Sequence, residues 1–431
     1  MNMSRLAASI AIVAGSLASG GAAGATAPPP GDPMADAAFE FAQCMRDNGI
    51  ADFPDPLVEA DGAIQIRPPE GLGPDELAAA EEVCLPLLDP AGVPTGGPDP
   101  SGPDSPGRDT QWEEVVPGGT CACADGSEWS FWVRDADPSK VVLFLDGGGA
   151  CWDATTCAFT TEESTTYDWN VAGQGPSEGG VFDTTTAENP FRDYTYVFVP
   201  YCTGDVHLGD VTREYSPDLT VEHNGFVNGS AALAYLQEHY PGAEQVVVVG
   251  ESAGSVAAPV YGGLVADQFP DAQVTVVADS SGAYPDDPDI NSSILATWGT
   301  FDTMPDWEVN EGLTASDWGI PRFWIQAGLH DPDLVLARFD FAYDEVQTLF
   351  MDLIGADSSD LPASIDANEA AIEAAGVVQH SYTAPGDEHT IMADGPLFEM
   401  EVDGVRLVDW VSALVAGEPL DDVHCDDCRA G

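Results

Sequence analysis

Residues 245–259 read QVVVVGESAGSVAAP, and this stretch constrains the chain more than any other. Four consecutive valines, Val246 to Val249, predict a strand buried on both faces, as in a parallel sheet. Gly250-Glu251-Ser252-Ala253-Gly254 follows at once, and small residues then open a helical run through Ala257, Leu264 and Ala266. Strand, sharp turn and helix with a serine at the apex is the G-x-S-x-G pattern of a nucleophile elbow. The glycines let strand and helix approach closely. The helix N-terminus directs N–H groups at the turn, which suits negative charge. A glycine-rich chain matches such a motif by chance often enough. The flanking strand and helix are what make Ser252 a candidate nucleophile.

The chain has 431 residues, enough for one large domain and a small one. It carries 12 Lys+Arg against 74 Asp+Glu, a net charge of −62, and Lys140 is its only lysine. Such a surface repels polyanions, which excludes nucleic acid and anionic membranes as partners. The acidity is spread along the whole chain, and a salty habitat is its simplest explanation. Arg5 gives the N-terminus a positive start, and Leu6 to Leu17 is an apolar run too short to span a bilayer. Ala23-Gly24-Ala25 supplies a small-x-small cleavage pattern. Residues 1–25 therefore read as a signal peptide, and the mature chain as secreted. No later run is long enough for stable membrane insertion. Nine cysteines in an exported chain point to disulfides before metal. Nothing in the sequence speaks to oligomeric state.

Residues 34–90 read as a small helical module. Helices are expected over Ala35–Asp47 and from Pro74 to about Leu85, with Cys44 and Cys84 paired between them. A bridge over that span is worth roughly 4 kcal/mol in the chain-entropy model. Two helices alone bury too little without it. Residues 91–111 are a Pro/Gly-rich linker, and 112–431 form the larger domain.

Within that domain, Val141–Leu145 predicts a central strand that runs into Asp146-Gly147-Gly148-Gly149-Ala150-Cys151-Trp152. A glycine run after a central strand and upstream of the elbow is where an oxyanion-hole loop belongs. Gly148, Gly149 and Ala253 are the candidate N–H donors. Further strands are expected over Trp129–Arg134, Tyr194–Val199, Gln273–Ala278, Leu334–Phe341 and Val377–Thr383. Helices are expected over His223–Tyr240, Phe323–His330 and Glu369–Ala375. His389, on a loop after the last strand, is the candidate base. His207 and His223 precede the serine and would break the chain order Ser, Asp, His; His380 lies within a strand. Two acids compete for the third role. Asp279 ends a strand, and Asp344 follows the last strand but one. Trp298, Phe301 and Trp307 lie in an insertion that either roofs a pocket or is plain core. His424 beside Cys425 and Cys428 hints at zinc, but such a site needs more ligands, so a local disulfide is expected and no metal.

The DGGGACW run with Cys157, the Pro200-Tyr201-Cys202 triplet and the GESAG elbow together resemble the pectin acetylesterase family, which includes the Notum-type carboxylesterases. The resemblance extends from about Thr120 to Cys428. It implies an α/β-hydrolase fold, with a central mostly parallel sheet flanked by helices. It also implies ester hydrolysis by a Ser–His–Asp triad without metal or organic cofactor. By resemblance Cys151 pairs with Cys157, and Cys202 with a cysteine before the first strand, Cys123, which leaves Cys121 alone. The family's triad aspartate sits in an [FY]-D-x-x-Q run. Tyr343-Asp344-Glu345-Val346-Gln347 matches it and favours Asp344 over Asp279. Trp152, Tyr201 and Trp298 are the candidate substrate contacts. The sequence departs at Gly149, where Notum-like members carry an aromatic residue, so the acyl pocket is expected to differ there.

The expectation is a secreted serine esterase that removes acetyl or other short acyl groups, with a polysaccharide as the ester's carrier. A lipase-like or polyester-degrading esterase uses the same machinery. An inactive binding protein on a hydrolase scaffold is the reading of another class. It is disfavoured because every triad position holds the right chemistry.

Overall fold

A computed structural model describes residues 112–159, 166–170, 173–425 and 428, together with short pieces before residue 67. The chain divides into two compact units, Met1–Ser105 and Pro106–Gly431. In the first unit Ala42 and residues 44–46 are helical, within the helix expected there. Cys44 is in a disulfide. Its expected partner Cys84, the helix over Pro74–Leu85 and the linker lie outside the described residues. This unit is not helical alone. Ile10–Ile12, Ile64–Ile66 and Leu57–Val58 form a three-stranded antiparallel sheet with Ile64–Ile66 in the middle. The alternation Ile64-Gln65-Ile66 is a strand pattern, but too short to stand out from its surroundings.

The second unit is built on a nine-stranded sheet. Its strands are β1 Glu113–Val115, β2 Phe131–Arg134, β3 Asp137–Leu145 and β4 Tyr194–Val199. A separate hairpin follows, β5 Val211–Ser216 and β6 Leu219–His223. The main sheet resumes with β7 Gln245–Glu251, β8 Gln273–Asp279, β9 Val335–Phe341 and β10 His380–Ala384. A small hairpin, β11 Glu401–Val402 and β12 Val405–Arg406, precedes the last strand, β13 Val423–His424. The strand order is β13-β10-β9-β8-β7-β3-β4-β2-β1. All neighbours are parallel except the β4–β2 and β2–β1 pairs.

The alternation within each strand explains the valine run. Val246 and Val248 of β7 pack into one apolar cluster, and Val247 and Val249 into another on the opposite face. Val141, Leu143 and Leu145 of β3 likewise separate from Val142 and Phe144. Helices cover both faces, as a parallel sheet requires. The first cluster holds residues of α1 Gly225–His239, α2 Ala253–Gln268 and α3 Ile320–His330. The second holds α6 Leu407–Val415 through Trp410, Val411 and Leu414. Two more helices, α4 Glu345–Ile354 and α5 Leu361–Ala374, connect β9 to β10. The helix expected from His223 starts at Gly225 instead, because His223 closes β6. The hairpin itself gave no clear alternation in the sequence.

Register brings the functional candidates to one edge. Glu251 pairs with Asp279, Asp279 with Phe339, and Phe341 with Ala384. Ser252, Asp279, Asp344 and His389 therefore all emerge at the C-terminal ends of adjacent parallel strands. Cys123–Cys202, Cys151–Cys157 and Cys425–Cys428 are disulfide-bonded, and Cys121 is a free thiol.

Candidate active site

Ser252 stands between β7 and α2 with φ 49° and ψ −114°. A non-glycine residue in this region is strained, and it persists only where its surroundings over-determine it. Two motif glycines are part of that surrounding. A Cβ on Gly250 would lie 2.3 Å from the carbonyl oxygen of Gly254, and one on Gly254 would lie 2.1 Å from that of Leu145.

His389 links the serine to an acid. Its Nε2 lies 2.8 Å from Ser252 Oγ, and its Nδ1 lies 2.7 Å from Asp344 Oδ2. A carboxylate only accepts, so Nδ1 carries the proton and the Nε2 lone pair faces the hydroxyl. Asp344 is fully buried. It caps the N-terminus of α4, where its Oδ1 accepts the backbone N–H groups of Val346 and Gln347, each at 2.9 Å. The Gln347 side-chain amide donates to Asp344 Oδ2 at 3.0 Å and to Asp340 Oδ1 at 3.0 Å. The helix dipole and these donors direct positive partial charge at the carboxylate.

Asp279, the rival acid, faces a different group. Its Oδ2 accepts the backbone N–H groups of Ile391 and Met392, each at 2.8 Å, and its Oδ1 accepts Ser280 Oγ at 3.0 Å. It fastens the loop that carries His389. Burial pushes its carboxyl up to about 6. Asp146, below the elbow, is pushed by burial to about 7. Burial, then repulsion from Asp146, Asp279 and Asp394, drives Glu251 well above the usual range. The acids beneath Ser252 are thus held above the ordinary carboxylate range.

The glycine loop meets the elbow directly. A Cβ on Gly147 would lie 3.0 Å from Ser252 Cβ. Gly149 has φ 76°, and a Cβ there would lie 2.0 Å from the carbonyl oxygen of Thr166. This backbone tolerates only glycine, which accounts for the absence of an aromatic residue at 149. The loop is held along its length. Asp168 N–H donates to Gly148 O at 2.9 Å, Ala150 N–H to Thr166 O at 3.0 Å, and Cys151 N–H to Gly204 O at 3.0 Å.

Ser252, Gly149 and Ala253 line a cavity of ≈ 100 Å³. The rest of its wall is mostly apolar and includes Trp152, Val256, Leu295, Trp298, Ile320 and Phe350. Two of the expected substrate contacts, Trp152 and Trp298, are therefore in the wall. Tyr201 is not. It is buried behind the glycine loop, where a Cβ on Gly148 would lie 2.8 Å from its ring. Within the aromatic insertion, Trp307 is core: its indole donates to Asp267 at 2.8 Å and its ring stacks on His330.

His207, His223 and His424 have other partners. His207 and His223 are buried, and burial lowers each to about 4. His424 approaches Glu369 at 3.3 Å and Ser381 Oγ at 2.9 Å. Among the described residues, Cys151, Cys157 and His223 form one group with metal-type ligand atoms, and Asp366, Glu369 and His424 another. The cysteines of the first are spent in a disulfide, and Glu369 of the second is paired with Arg338 at 2.9 Å. Sequence reasoning did not single out Gln347 as a bridge between two buried aspartates. The [FY]-D-x-x-Q spacing was the available signal.

Residues 115–310 match the family model described as pectinacetylesterase. The chain is 29% identical over 147 residues to the palmitoleoyl-protein carboxylesterase NOTUM of Schmidtea mediterranea, which is 31% of this chain and 26% of that protein. It is 23% identical over 193 residues to the palmitoleoyl-protein carboxylesterase notum2 of Xenopus laevis, 42% of this chain and 36% of that protein. The aligned part thus spans about a third or less of those relatives' length.

Proposed function

We propose that this chain, similar to pectinacetylesterases over residues 115–310, is a secreted serine carboxylic-ester hydrolase on an α/β-hydrolase fold. Its substrate is an acetyl or other short-acyl ester borne by a polysaccharide. The observation that carries the reading is the continuous relay from Ser252 through His389 to Asp344, set at the ends of parallel strands.

In this reading Ser252 Oγ attacks the ester carbonyl while its proton passes to His389 Nε2. The carbonyl π electrons move onto oxygen, and the backbone N–H groups of Gly148, Gly149 and Ala253 receive that charge. The tetrahedral centre collapses, and His389 gives its proton to the departing alcohol. Water, deprotonated by His389, then attacks the acyl-enzyme and releases the carboxylic acid and free Ser252. Asp344 keeps the imidazole in the right tautomer and stabilises its charged form without taking the proton.

The apolar wall of the cavity favours a second reading, an esterase for longer acyl chains. A polysaccharide offers hydroxyls, and Trp152, Val256, Leu295 and Phe350 offer them little. The Notum relatives are named as palmitoleoyl-protein carboxylesterases, and palmitoleoyl is a long acyl group. Steady-state rates on p-nitrophenyl esters from acetate to palmitate decide between the two, with Ser252→Ala as control. A rate that peaks at acetate or butyrate supports the short-acyl reading, and a peak beyond octanoate supports the other. No turnover of any ester, or turnover unchanged in Ser252→Ala, overturns both.

A further inference from the structure

Val206 and His207 follow β4 with φ 51° and 61°. Two consecutive non-glycine residues in the left-handed region are rare, and a β-branched residue there is an outlier. Such a conformation lasts only where contacts enforce it, and here they are specific. Tyr201 Oη accepts the N–H of Val206 at 2.8 Å, and the Tyr261 hydroxyl donates to His207 O at 3.1 Å. The His207 ring lies against Tyr201, with centroids 4.7 Å apart. Neighbouring chain leaves no slack, since a Cβ on Gly225 would lie 2.7 Å from His207 Cα.

The strained turn aims one bond. His207 Nε2 lies 2.9 Å from the carbonyl oxygen of Asp146. A carbonyl only accepts, so Nε2 carries a proton and donates it. Asp146 is the last residue before the glycine run. At the far end of that run the Trp298 indole donates to Cys151 O at 2.6 Å. The loop is therefore gripped at both ends, with Gly148 and Gly149 between the grips.

We infer that His207 is a positioning residue for ester hydrolysis: its bond to Asp146 O sets the Gly148–Gly149 backbone against which the oxyanion develops. This rests on the reaction proposed above. Donors fixed in advance need no reorganisation when charge appears, and small misplacements are costly in rate.

The test compares full-length wild type with His207→Leu and His207→Gln, using p-nitrophenyl acetate and a trifluoromethyl ketone whose hemiketal oxygen occupies the oxyanion site. His207→Leu is expected to lower kcat about tenfold or more with KM within about twofold, and to weaken the ketone by the same factor. His207→Gln keeps a donor and is expected to regain most of both. A purely structural role lowers the melting temperature and leaves kcat per folded molecule and ketone affinity unchanged, and that result overturns the inference. Should the leucine variant not fold, 15N-histidine-labelled wild type decides instead. The His207 Nε2–H resonance is expected to shift when the ketone binds, and a fixed resonance overturns the inference. An active wild type with unaffected variants rejects this inference alone. A wild type that hydrolyses no ester rejects the reaction and the inference together.

Discussion

Asp344 holds His389 with one carboxylate oxygen, Oδ2 to Nδ1 at 2.7 Å, and gives the other to the first turn of α4. The acid is thus anchored by the helix it caps, and the orientation of the imidazole follows from the position of that helix. Asp279 is as deeply buried, but its oxygens are spent on Ile391, Met392 and Ser280.

The two acids should respond differently to the same substitution. Asp344→Asn is expected to cost a few powers of ten in kcat, because an amide nitrogen facing Nδ1 favours the wrong tautomer. Ser252→Ala is expected to cost roughly a million-fold. Asp279→Asn turns an acceptor of two N–H groups into a poorer one, so it is expected to lower the melting temperature while retaining most of the turnover per folded molecule. Loss of activity in Asp279→Asn with an active Asp344→Asn reverses the assignment.

Gly149 gives a sharper test of the glycine loop. Gly149→Ala forces a Cβ to within 2.0 Å of Thr166 O at a φ of 76°. The backbone has to move, and the loop with it. A loss of about 100-fold in kcat is expected, comparable with removal of one oxyanion donor, together with a lower melting temperature. An alanine variant with wild-type rate and stability shows that the loop plays no such part.

Stability should fall as pH rises from mildly acidic to neutral. Burial raises the carboxyls of Asp205, Asp279 and Asp340 to about 6 and of Asp146 to about 7, against 3.8 for each when exposed. The folded chain therefore binds more protons than the unfolded chain between those values. Their contribution is complete below about pH 4 and is lost as pH rises through about 6 to 7. His424, raised mainly by its bond to Glu369, contributes in the same direction. Buried His207 and His223, lowered to about 4 from 6.5, oppose the trend below about pH 6.5 but are outnumbered by the raised carboxyls. Asp137, Asp153 and Asp183, lowered by Ser and Thr hydrogen bonds, oppose it only at lower pH. Melting curves between about pH 5 and 8 in constant 1 M NaCl read this directly. A melting temperature that climbs across that range sinks the argument.

Salt should stabilise the chain. At a net charge of −62 with one lysine, the carboxylates repel one another more in the compact state than in the expanded one. The Debye length falls from roughly 30 Å at 0.01 M to roughly 3 Å at 1 M, which removes most of that repulsion. The melting temperature is expected to rise by ten degrees or more (on the order of 10 °C) between about 0.05 and 2 M NaCl. Activity on de-esterified, charged pectin is expected to rise with salt more steeply than activity on a neutral p-nitrophenyl ester. A flat melting profile rejects the first expectation, and parallel activity profiles reject the second.

The elbow was legible in the sequence because its signals are local: four valines, two glycines and an alanine-rich helix over fifteen residues of chain. The choice between Asp344 and Asp279 was not a local matter. Parallel strands deliver both carboxylates to the same edge, and what separates them is which N–H groups reach each one from residues 391 and 392 or from α4. Tyr201 misled for a similar reason. It adjoins Cys202 and the site in sequence, yet its ring turns behind the glycine loop. The left-handed turn at Val206–His207 puts a β-branched residue where such backbone favours glycine or asparagine, so only the fold reveals it. The strands at Leu57–Val58 and Ile64–Ile66 are too brief for periodicity to register.

The strands that end the large sheet have a bearing on how molecules meet. β1 has three residues, two of them exposed glutamates, and β13 has two residues and runs straight into the Cys425–Cys428 bridge. An edge recruits a strand from another copy by offering a run of unpaired N–H and C=O groups. Neither edge is long enough to offer one. Salt that quiets the repulsion within a molecule also quiets it between molecules, and a chain with long bare edges would then be free to stack. Here the large sheet itself withholds the template, so crowding at high ionic strength finds little to join along its edges.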